Sequence, residues 1–402
     1  MIDSDSVYLH DLGLVCALGD NKNDIARSLF AGCRDSLTLT DDYTPTRPLP
    51  VGRVRASLPS VEHLPSHQQT RSNQLLLSAL GQLEAEWRRN VAELNPRRVA
   101  VVLGTSTSGI AEGERAMVMR EAQGAWPEQF SYRQQEMYAP AESLADWLGV
   151  RGPALTISTA CSSGAKALAS GRRLLREGVC DLVIAGGVDV LCGLTINGFS
   201  ALEAISDSVC NPFSANRNGI NIGEGAALFI MNRERGPVAL QGVGETSDAY
   251  HISAPAPDGH GAARAMQLAL RDAGISADTV DYLNLHGTAT AQNDKMESAA
   301  VNAVGMQAVA CSSTKACTGH TLGAAGAIET GFCWLTLMQD HMSGSTGEWQ
   351  LPVHVWDDVV DPELPAIDLI TRPRQLQNLS YAMSNSFAFG GNNIAVLLER
   401  FA

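Results

Sequence analysis

Short apolar runs rich in β-branched residues alternate along this chain with longer segments of helical periodicity. VYLHDLGLV (7–15), RVAVVLGT (98–105) and DLVIAGGVDVL (181–191) are typical of buried strands. Helical periodicity occurs between such runs, for example in 162–177 and 323–339. Because strands that alternate with helices form sheets covered on both faces, the pattern predicts an α/β fold.

A strand, a short turn and a helix of small residues occur twice, as ALTISTACSSGAKALAS (154–170) and as AVACSSTKACTGHTLGAAGAIE (308–329). Small residues let a helix pack closely against a sheet or another helix, so each copy alone also suits a buried structural helix. Together the two copies indicate a duplicated fold in which the starts of two helices converge. The chain has 402 residues, which is enough for two domains or for one large duplicated fold.

The charge balance excludes several classes of protein. The net charge is −14 and no basic block is present, so a nucleic-acid partner has no electrostatic footprint. No apolar run reaches about 18 residues, and the N-terminal segment lacks the pattern of an export signal, so we expect no membrane span. Nine cysteines without a CxxC spacing indicate reduced thiols, and hence a cytoplasmic protein.

Several common catalytic motifs are absent from the sequence. It contains no GxxxxGK[ST], no GxGxxG after a strand, no HExxH and no GxSxG. These absences argue against a P-loop NTPase, a Rossmann dehydrogenase, a zincin and a serine hydrolase.

STACSSG (158–164) places Cys161 between a predicted strand and a predicted helix. A thiol at a helix N-terminus experiences about half a positive charge from the helix dipole, which favours the thiolate. We therefore expect Cys161 to be an ionised nucleophile, although a buried inert cysteine is the alternative.

Two histidines follow strand ends in similar contexts. LNLHGTAT (283–290) places His286 after an apolar strand, and TKACTGHTLGAAG (314–326) places Lys315 five residues before His320. Lys315 is one of only four lysines in the chain. Strand ends are where open α/β sheets build their sites, so this set indicates a Cys-His-His site. A metal site is the competing interpretation, but neither histidine has a second ligand at a chelating spacing.

Four motifs in this order, TACSSG, LHGTAT, STKACTGHTLGAAGAIE and SNSFAFGGNN (384–393), closely resemble the elongating β-ketoacyl-[acyl carrier protein] synthases. The resemblance covers essentially the whole chain. It implies the thiolase fold, with two duplicated βαβαβαββ halves in α-β-α-β-α layers. It further implies an N-terminal half over 1–240 that carries the nucleophile and a C-terminal half over 241–402 that carries both histidines.

The same resemblance implies the roles of individual residues. Cys161, His286 and His320 would form the catalytic triad, with Lys315 as the supporting lysine. Phe389 would gate the site and complete the oxyanion hole, and its flanking glycines would act as a hinge. Gly390 and Gly391 are the implied hinge, and Asp294 and Glu297 are the implied supporting polar network. A structural monovalent cation would be bound by Asn284, Glu329, Ser384 and Asn385. No other cofactor is implied.

The implied reaction is a decarboxylative Claisen condensation of malonyl-[acyl carrier protein] with an acyl group held on Cys161, in fatty-acid, aryl-polyene or polyketide chain elongation. The implied partners are an acyl carrier protein and a second subunit, either a second copy or a non-catalytic homologue. Arg71, Arg120 and Arg133 are equal candidates for docking the carrier.

Two features depart from the fatty-acid enzymes. Lys166 stands five residues after the nucleophile, where histidine is frequent, and 222–227 reads IGEGAA with an acidic residue. Both features resemble the aryl-polyene or related specialised branch. A thiolase is the first alternative, but it would need a C-terminal Cys-x-Gly, and the last cysteine, Cys333, precedes Trp334 and Leu335. A chain-length-factor type of partner, the second alternative, would lack the nucleophile.

Overall fold

A computed structural model describes residues 6–45, 47–91, 94–340 and 348–401. Its principal feature is a continuous mixed sheet of ten strands. These strands are β1 (Tyr8–Val15), β4 (Val99–Gly104), β5 (Ala154–Ile157), β6 (Leu182–Asp189), β7 (Gly225–Asn232), β8 (Val238–Ser247), β9 (Tyr282–Asn284), β10 (Ala310–Ser312), β13 (Tyr381–Ala388) and β14 (Asn392–Arg400). Two short ribbons accompany it, formed by β2 (Thr38–Thr40) with β3 (Leu49–Val51) and by β11 (Trp349–Gln350) with β12 (Gln375–Leu376).

Helices cover both faces of the sheet and also fill the space between its two halves. They are α1 (Lys22–Phe30), α2 (Arg71–Gly81), α3 (Glu84–Val91), α4 (Ile110–Gln123), α5 (Ala139–Leu148), α6 (Ser163–Arg176), α7 (Gly193–Ala201), α8 (His260–Ala273), α9 (Ala291–Val304), α10 (Lys315–Thr318) and α11 (Ala325–Leu337). Within the described ranges no helix is long and apolar enough to cross a membrane.

The two halves of the sheet have the same topology. The strand order across the sheet is β5-β4-β6-β7-β1 in one half and β10-β9-β13-β14-β8 in the other. If the five sheet strands of each half are numbered 1 to 5 in chain order, both halves have the order 3-2-4-5-1. In each half the first three strands of this order run parallel to one another, and the other neighbouring strands pair antiparallel. A short antiparallel contact between β1 and β8 joins the halves. The duplication predicted from the sequence is therefore present in the fold.

The apolar core divides into layers that follow this duplication. One cluster lies between the two half-sheets and contains side chains of α6 and α11. A second cluster lies under α2 and α5, and a third lies under α8 and α9. This arrangement confirms the predicted α-β-α-β-α order. Because α6 and α11 share the central layer, the turns that precede them meet at one place.

Candidate active site

Cys161 lies in the turn between β5 and α6, immediately before the start of that helix. Ala160 has φ of 51°, in the left-handed region that side-chain-bearing residues rarely adopt. The Cys161 residue is only 6% exposed and lines a cavity of about 470 Å³. The strained turn therefore presents the thiol to this cavity.

His320 approaches the same thiol from the turn between α10 and α11. Its Nε2 atom is 2.9 Å from the Cys161 sulfur. The main chain of His320 is fixed on both sides, because its N–H donates to the Asn221 carbonyl at 2.6 Å and its carbonyl accepts from the Gly223 N–H at 2.9 Å. These bonds fix the ring beside the sulfur.

His286 follows β9 and is held by a buried carboxylate. Glu297 of α9 accepts the main-chain N–H groups of His286 and Gly287 at 2.8 and 2.7 Å. Lys315 donates to the His286 carbonyl and lies 3.5 Å from the His286 Nδ1 atom. Because Nδ1 faces an ammonium group, it acts as the acceptor, and the ring proton belongs on Nε2.

The structure brings the three predicted catalytic residues together. Ligand atoms of Cys161, His286 and His320 all lie within 4.8 Å of one another, and the two imidazole rings meet edge to face at 5.4 Å. In the described part of the chain this is the one group of three such side chains close enough to hold a metal ion. The three ligand atoms come from three separate turns, an arrangement that no chelating spacing within one segment describes. The geometry alone therefore suits either a metal ion or a nucleophile with two donors.

Burial, and not the helix dipole, determines the protonation of the nucleophile. Desolvation raises the pKa of the Cys161 thiol to about 12, and the positive charge of Lys315 offsets only part of that effect. The expectation that Cys161 is ionised at rest is therefore wrong. The physical reason is that an enclosed site removes the water that would solvate a thiolate.

Both histidines are neutral in this environment. Burial lowers the pKa of His286 and of His320 well below the usual range, and the charge of Lys315 lowers both further. The site at rest therefore holds a thiol and two uncharged imidazoles. A neutral imidazole offers one N–H donor and one acceptor nitrogen.

The Phe389 loop closes over the nucleophile. The Phe389 main-chain N–H faces the Cys161 sulfur and lowers the pKa of that thiol, which offsets a small part of the effect of burial. The Phe389 residue is 36% exposed, and the centre of its ring lies 5.4 Å from that of Phe199. Gly390 and Gly391 follow with φ of 78° and 74°, which require glycine. The loop thus places both a main-chain donor and an aromatic ring at the cavity.

The predicted supporting carboxylates are fully buried and hold loops. Asp294 accepts the Phe213 N–H at 2.7 Å and the Ala289 N–H at 3.2 Å. Burial raises the pKa of Asp294 to about 6 and that of Glu297 to about 7. Neither carboxylate lines the cavity, so both position the loops that do.

The predicted cation ligands carry buried oxygen atoms that lack hydrogen-bond partners among the described residues. These atoms are Asn284 Oδ1, Glu329 Oε2, Ser384 Oγ and Asn385 Oδ1. Ser384 pairs with Asn284 across adjacent strands, and the other carboxylate oxygen of Glu329 forms an ion pair with Lys315. A set of oxygen ligands beside an anionic carboxylate fits a hard cation.

Asp189 is a positioning residue that the sequence analysis missed. It lies at the end of β6 and is fully buried, and it accepts hydrogen bonds from Thr105, Ser106 and Thr107. It also accepts the Gly323 N–H at 2.6 Å, three residues after His320. The signal was available, since Asp189 is the one acidic residue inside the apolar run 182–191.

The acidic IGEGAA departure has a structural explanation. Glu224 is completely buried and accepts hydrogen bonds from Arg71 through both of its carboxylate oxygens. Arg71, a docking candidate, is therefore committed to an internal ion pair. Arg120 lies over the Trp126 ring, and Arg133 pairs with Glu142 at 2.8 Å. None of the three arginines lines the cavity.

Comparison with known proteins adds an independent line of evidence. Residues 53–236 match the family described as beta-ketoacyl synthase, N-terminal domain, and residues 238–346 match its C-terminal domain. The 3-oxoacyl-[acyl-carrier-protein] synthase 2 of Staphylococcus aureus (strain COL) is 38% identical over 273 residues, which span 63% of this chain and 63% of that protein.

Solved structures extend the similarity over the full length. A chain from the complex of a ketosynthase with its chain length factor from Xenorhabdus doucetiae is 43% identical, with a TM-score of 0.93, covering 99% of this chain and 98% of that chain. A chain of the ishigamide ketosynthase/chain length factor is 26% identical, with a TM-score of 0.86, covering 99% and 100%. The chain therefore belongs to the β-ketoacyl synthase family, which confirms the resemblance and the fold class predicted from the sequence.

Proposed function

We propose that this protein is an acyltransferase that condenses an acyl group, held as a thioester on Cys161, with a decarboxylating malonyl-[acyl carrier protein]. The observation that carries the proposal is the enclosed group of one thiol and two neutral imidazoles, with the Phe389 N–H directed at the sulfur. Family membership favours this chemistry over a metal centre at the same atoms.

The first half-reaction transfers the acyl group to the enzyme. Because the resting thiol is protonated, its proton moves to His320 Nε2, 2.9 Å away, as the sulfur attacks the thioester carbonyl of the carrier. The Phe389 N–H and the Cys161 N–H hold the oxyanion. The bond between the carbonyl carbon and the carrier sulfur then breaks, and His320 returns the proton to the departing carrier thiolate.

The second half-reaction generates the carbon nucleophile. The malonyl carboxylate leaves as carbon dioxide, and its electron pair forms an enolate whose oxygen accepts hydrogen bonds from the Nε2–H groups of His286 and His320. In the acyl-enzyme the sulfur has no proton to give to His320 Nε2. The His320 ring then changes tautomer, losing its Nδ1 proton to solvent and gaining one on Nε2, and this Nε2–H group is the second donor. The enolate carbon attacks the acyl carbonyl, and the thioester bond to Cys161 breaks. The released thiolate takes up one proton from solvent, which balances the negative charge of the malonyl carboxylate lost as carbon dioxide.

Lys315 sets the electrostatics of this second step. Its ammonium group lies beside His286 Nδ1 and is paired with Glu329. A fixed positive charge at that position keeps His286 neutral and keeps its proton on Nε2, where the enolate oxygen forms. A preorganised donor of this kind typically contributes about 2.7 to 4 kcal/mol to lowering the barrier.

We also propose a structural monovalent cation bound by Asn284, Glu329, Ser384 and Asn385. The support is the buried set of oxygen atoms without partners among the described residues. Such an ion would balance the charge of Glu329 and would hold β9 and β13 against α11. It takes no part in the chemical steps.

An acyl carrier protein and a second subunit of the same fold are the proposed partners. Among the strands that the structure describes, the edge strand β5 pairs with β4 alone and exposes Leu155, and α4 exposes Met117 and Val118. An open strand edge and exposed apolar side chains favour association. The solved complex from Xenorhabdus doucetiae, which pairs a ketosynthase with its chain length factor, supports a chain length factor as that subunit. The two departures at Lys166 and Glu224 are the basis on which we propose a specialised pathway, such as aryl-polyene synthesis. The free state of all nine cysteines supports a cytoplasmic location.

Intact-mass analysis after incubation with a panel of acyl carrier proteins tests the proposed function. We expect one acyl group per chain, located on Cys161 by peptide mapping, and loss of that group when malonyl-[acyl carrier protein] is added. Acylation that persists in Cys161→Ser, or a stable acyl-enzyme that malonyl carrier does not discharge, would contradict the proposal.

A further inference from the structure

Lys166 connects the helix of the nucleophile to the end of the Phe389 loop. It lies five residues after Cys161, on α6, and its side chain is 15% exposed. Its Nζ atom donates to the side-chain oxygen of Asn392 at 3.2 Å. Asn392 is the first residue of β14 and directly follows the loop glycines. Lys166 is one of the two departures in the sequence, and the chemistry above gives it no role.

The position of Asn392 makes this contact relevant to the cavity. Gly390 and Gly391 both have positive φ, so the chain between Phe389 and Asn392 can change direction at either residue. On the far side of the glycines, Phe389 contacts the Cys161 sulfur through its N–H. The main chain of Asn392 pairs with Ser247 of β8 and with Ala388 of β13. The Lys166 contact therefore adds a side-chain restraint at the C-terminal end of the segment that covers the nucleophile.

The opposite side of the ammonium group faces an acidic residue. The Lys166 Nζ atom lies 3.8 Å from the Glu245 Oε1 atom of β8. The Glu245 Oε2 atom accepts hydrogen bonds from both terminal nitrogens of Arg173, each at 2.7 Å. Glu245 pairs with Ile394 of β14 in the sheet, so it belongs to the immobile part of the fold. Lys166 thus spans from this fixed carboxylate to the loop end, whereas Arg173 contacts the carboxylate without reaching the loop.

We propose that Lys166 is a positioning residue that anchors the C-terminal end of the Phe389–Gly391 loop and thereby limits how often the cavity opens. The inference rests on the proposed function and on the gating role that the family resemblance implies for Phe389. It concerns access to Cys161 and not the chemical steps.

Alkylation of Cys161 by iodoacetamide at one fixed pH measures this access without carrier, acyl group or malonyl group. We expect Lys166→Met to accelerate alkylation several-fold and Lys166→Arg to remain close to the original rate. Arg173→Met is the matched control, because it removes a partner of Glu245 without touching Asn392, and it should leave the rate unchanged. Loss of the Lys166 charge alone would raise the pKa of the Cys161 thiol and slow its alkylation. A faster rate in Lys166→Met therefore indicates loss of the anchor and not loss of the charge.

A second variant, Asn392→Ala, removes the other partner of the contact and should accelerate alkylation as Lys166→Met does. Thermal unfolding of each variant verifies that the protein is folded. An unchanged or slower rate in folded Lys166→Met or Asn392→Ala, or equal acceleration in Arg173→Met, would overturn the proposal. Since the assay needs no condensation, its failure would leave the proposed reaction intact, and failure of that reaction would not alter its outcome.

Discussion

The Nε2 atom of His320 lies 2.9 Å from the sulfur of Cys161, although 159 residues separate the two in the chain. The two residues come from equivalent turns of the duplicated halves, each preceding a helix of the central layer. Duplication therefore supplies both members of the pair. Burial then leaves the pair as a thiol and a neutral imidazole.

The first prediction concerns the pH dependence of Cys161 alkylation. Because its pKa is raised to about 12, the reactive thiolate fraction should increase about tenfold per pH unit up to pH 10, without a plateau. Iodoacetamide kinetics followed by intact mass measure this, with Cys161→Ser to assign the label. Cys33 is less buried and should compete at neutral pH. A plateau near pH 8 would restore the expectation of a thiolate stabilised by the helix dipole.

The second prediction concerns Asp189, whose carboxylate joins the two halves beside His320. Asp189→Asn introduces an N–H₂ group among donors, so at least one buried donor loses its acceptor, and we expect stability to fall by about 2–3 kcal/mol. Malonyl decarboxylation should fall through kcat more than through KM, since His320 is displaced. Denaturant unfolding and steady-state kinetics measure both effects.

Asp181, near the other end of the same strand, provides the control for that variant. It pairs with Arg98 at the surface, and a surface pair contributes at most about 1 kcal/mol. Asp181→Asn should therefore leave kcat unchanged. Equal effects of the two substitutions would remove the role assigned to Asp189.

The third prediction concerns Phe389 as a gate. Phe389→Ala keeps the main-chain N–H at the sulfur but removes the ring that packs on Phe199, so the cavity loses its cover. Acyl transfer should become slower while the fold is retained. Tyr250→Ala, an exposed aromatic residue that does not line the cavity, is the control. Unchanged transfer rates for Phe389→Ala across the accepted chain lengths would argue against gating.

The fourth prediction concerns the proposed cation and pH. Burial raises the pKa of Glu329 to about 7, so the carboxylate is mostly protonated at pH 6 and mostly ionised at pH 8. Since a cation needs the ionised ligand, potassium or sodium should raise the unfolding temperature more at pH 8 than at pH 6, relative to choline. Glu329→Gln should abolish the difference. Equal stabilisation by choline would show that no specific site exists.

Much of this organisation could be predicted from the sequence because it depends on local patterns. Strand ends and helix starts located Cys161, His286 and His320, and the repeated motif indicated the duplication. The strands β8 and β14 were not predicted. Glycine and polar residues interrupt the apolar pattern of VALQGVGETS, whereas NNIAVLLER carries the apolar run IAVLL, a strand signal that the prediction did not use.

The features that could not be predicted from the sequence depend on burial of the site and on contacts between distant residues. The direction of the pKa shift of Cys161 follows from how completely the cavity walls exclude water, and no motif records that. The contacts of Asp189 with Gly323 and of Lys166 with Asn392 join residues far apart in the chain. Neither contact has a local signal beyond the presence of a charged residue in an apolar context.

The most direct test of the central claim separates the two half-reactions by variant. Attack on the acyl thioester needs the sulfur of Cys161 and the basic nitrogen of His320, whereas decarboxylation needs the N–H groups of His286 and His320. The measurement is acetyl carrier protein formed from malonyl carrier protein, together with the mass of the acylated enzyme. Cys161→Ala should not be acylated but should still decarboxylate.

His286→Ala should be acylated but should lose about 10²- to 10³-fold in decarboxylation, because one enolate donor is missing. His320→Ala should lose both activities, since the same ring accepts the thiol proton and donates to the enolate. If His286→Ala and His320→Ala both decarboxylate malonyl carrier protein at the original rate, the two imidazoles are not the enolate donors and the proposed mechanism is wrong.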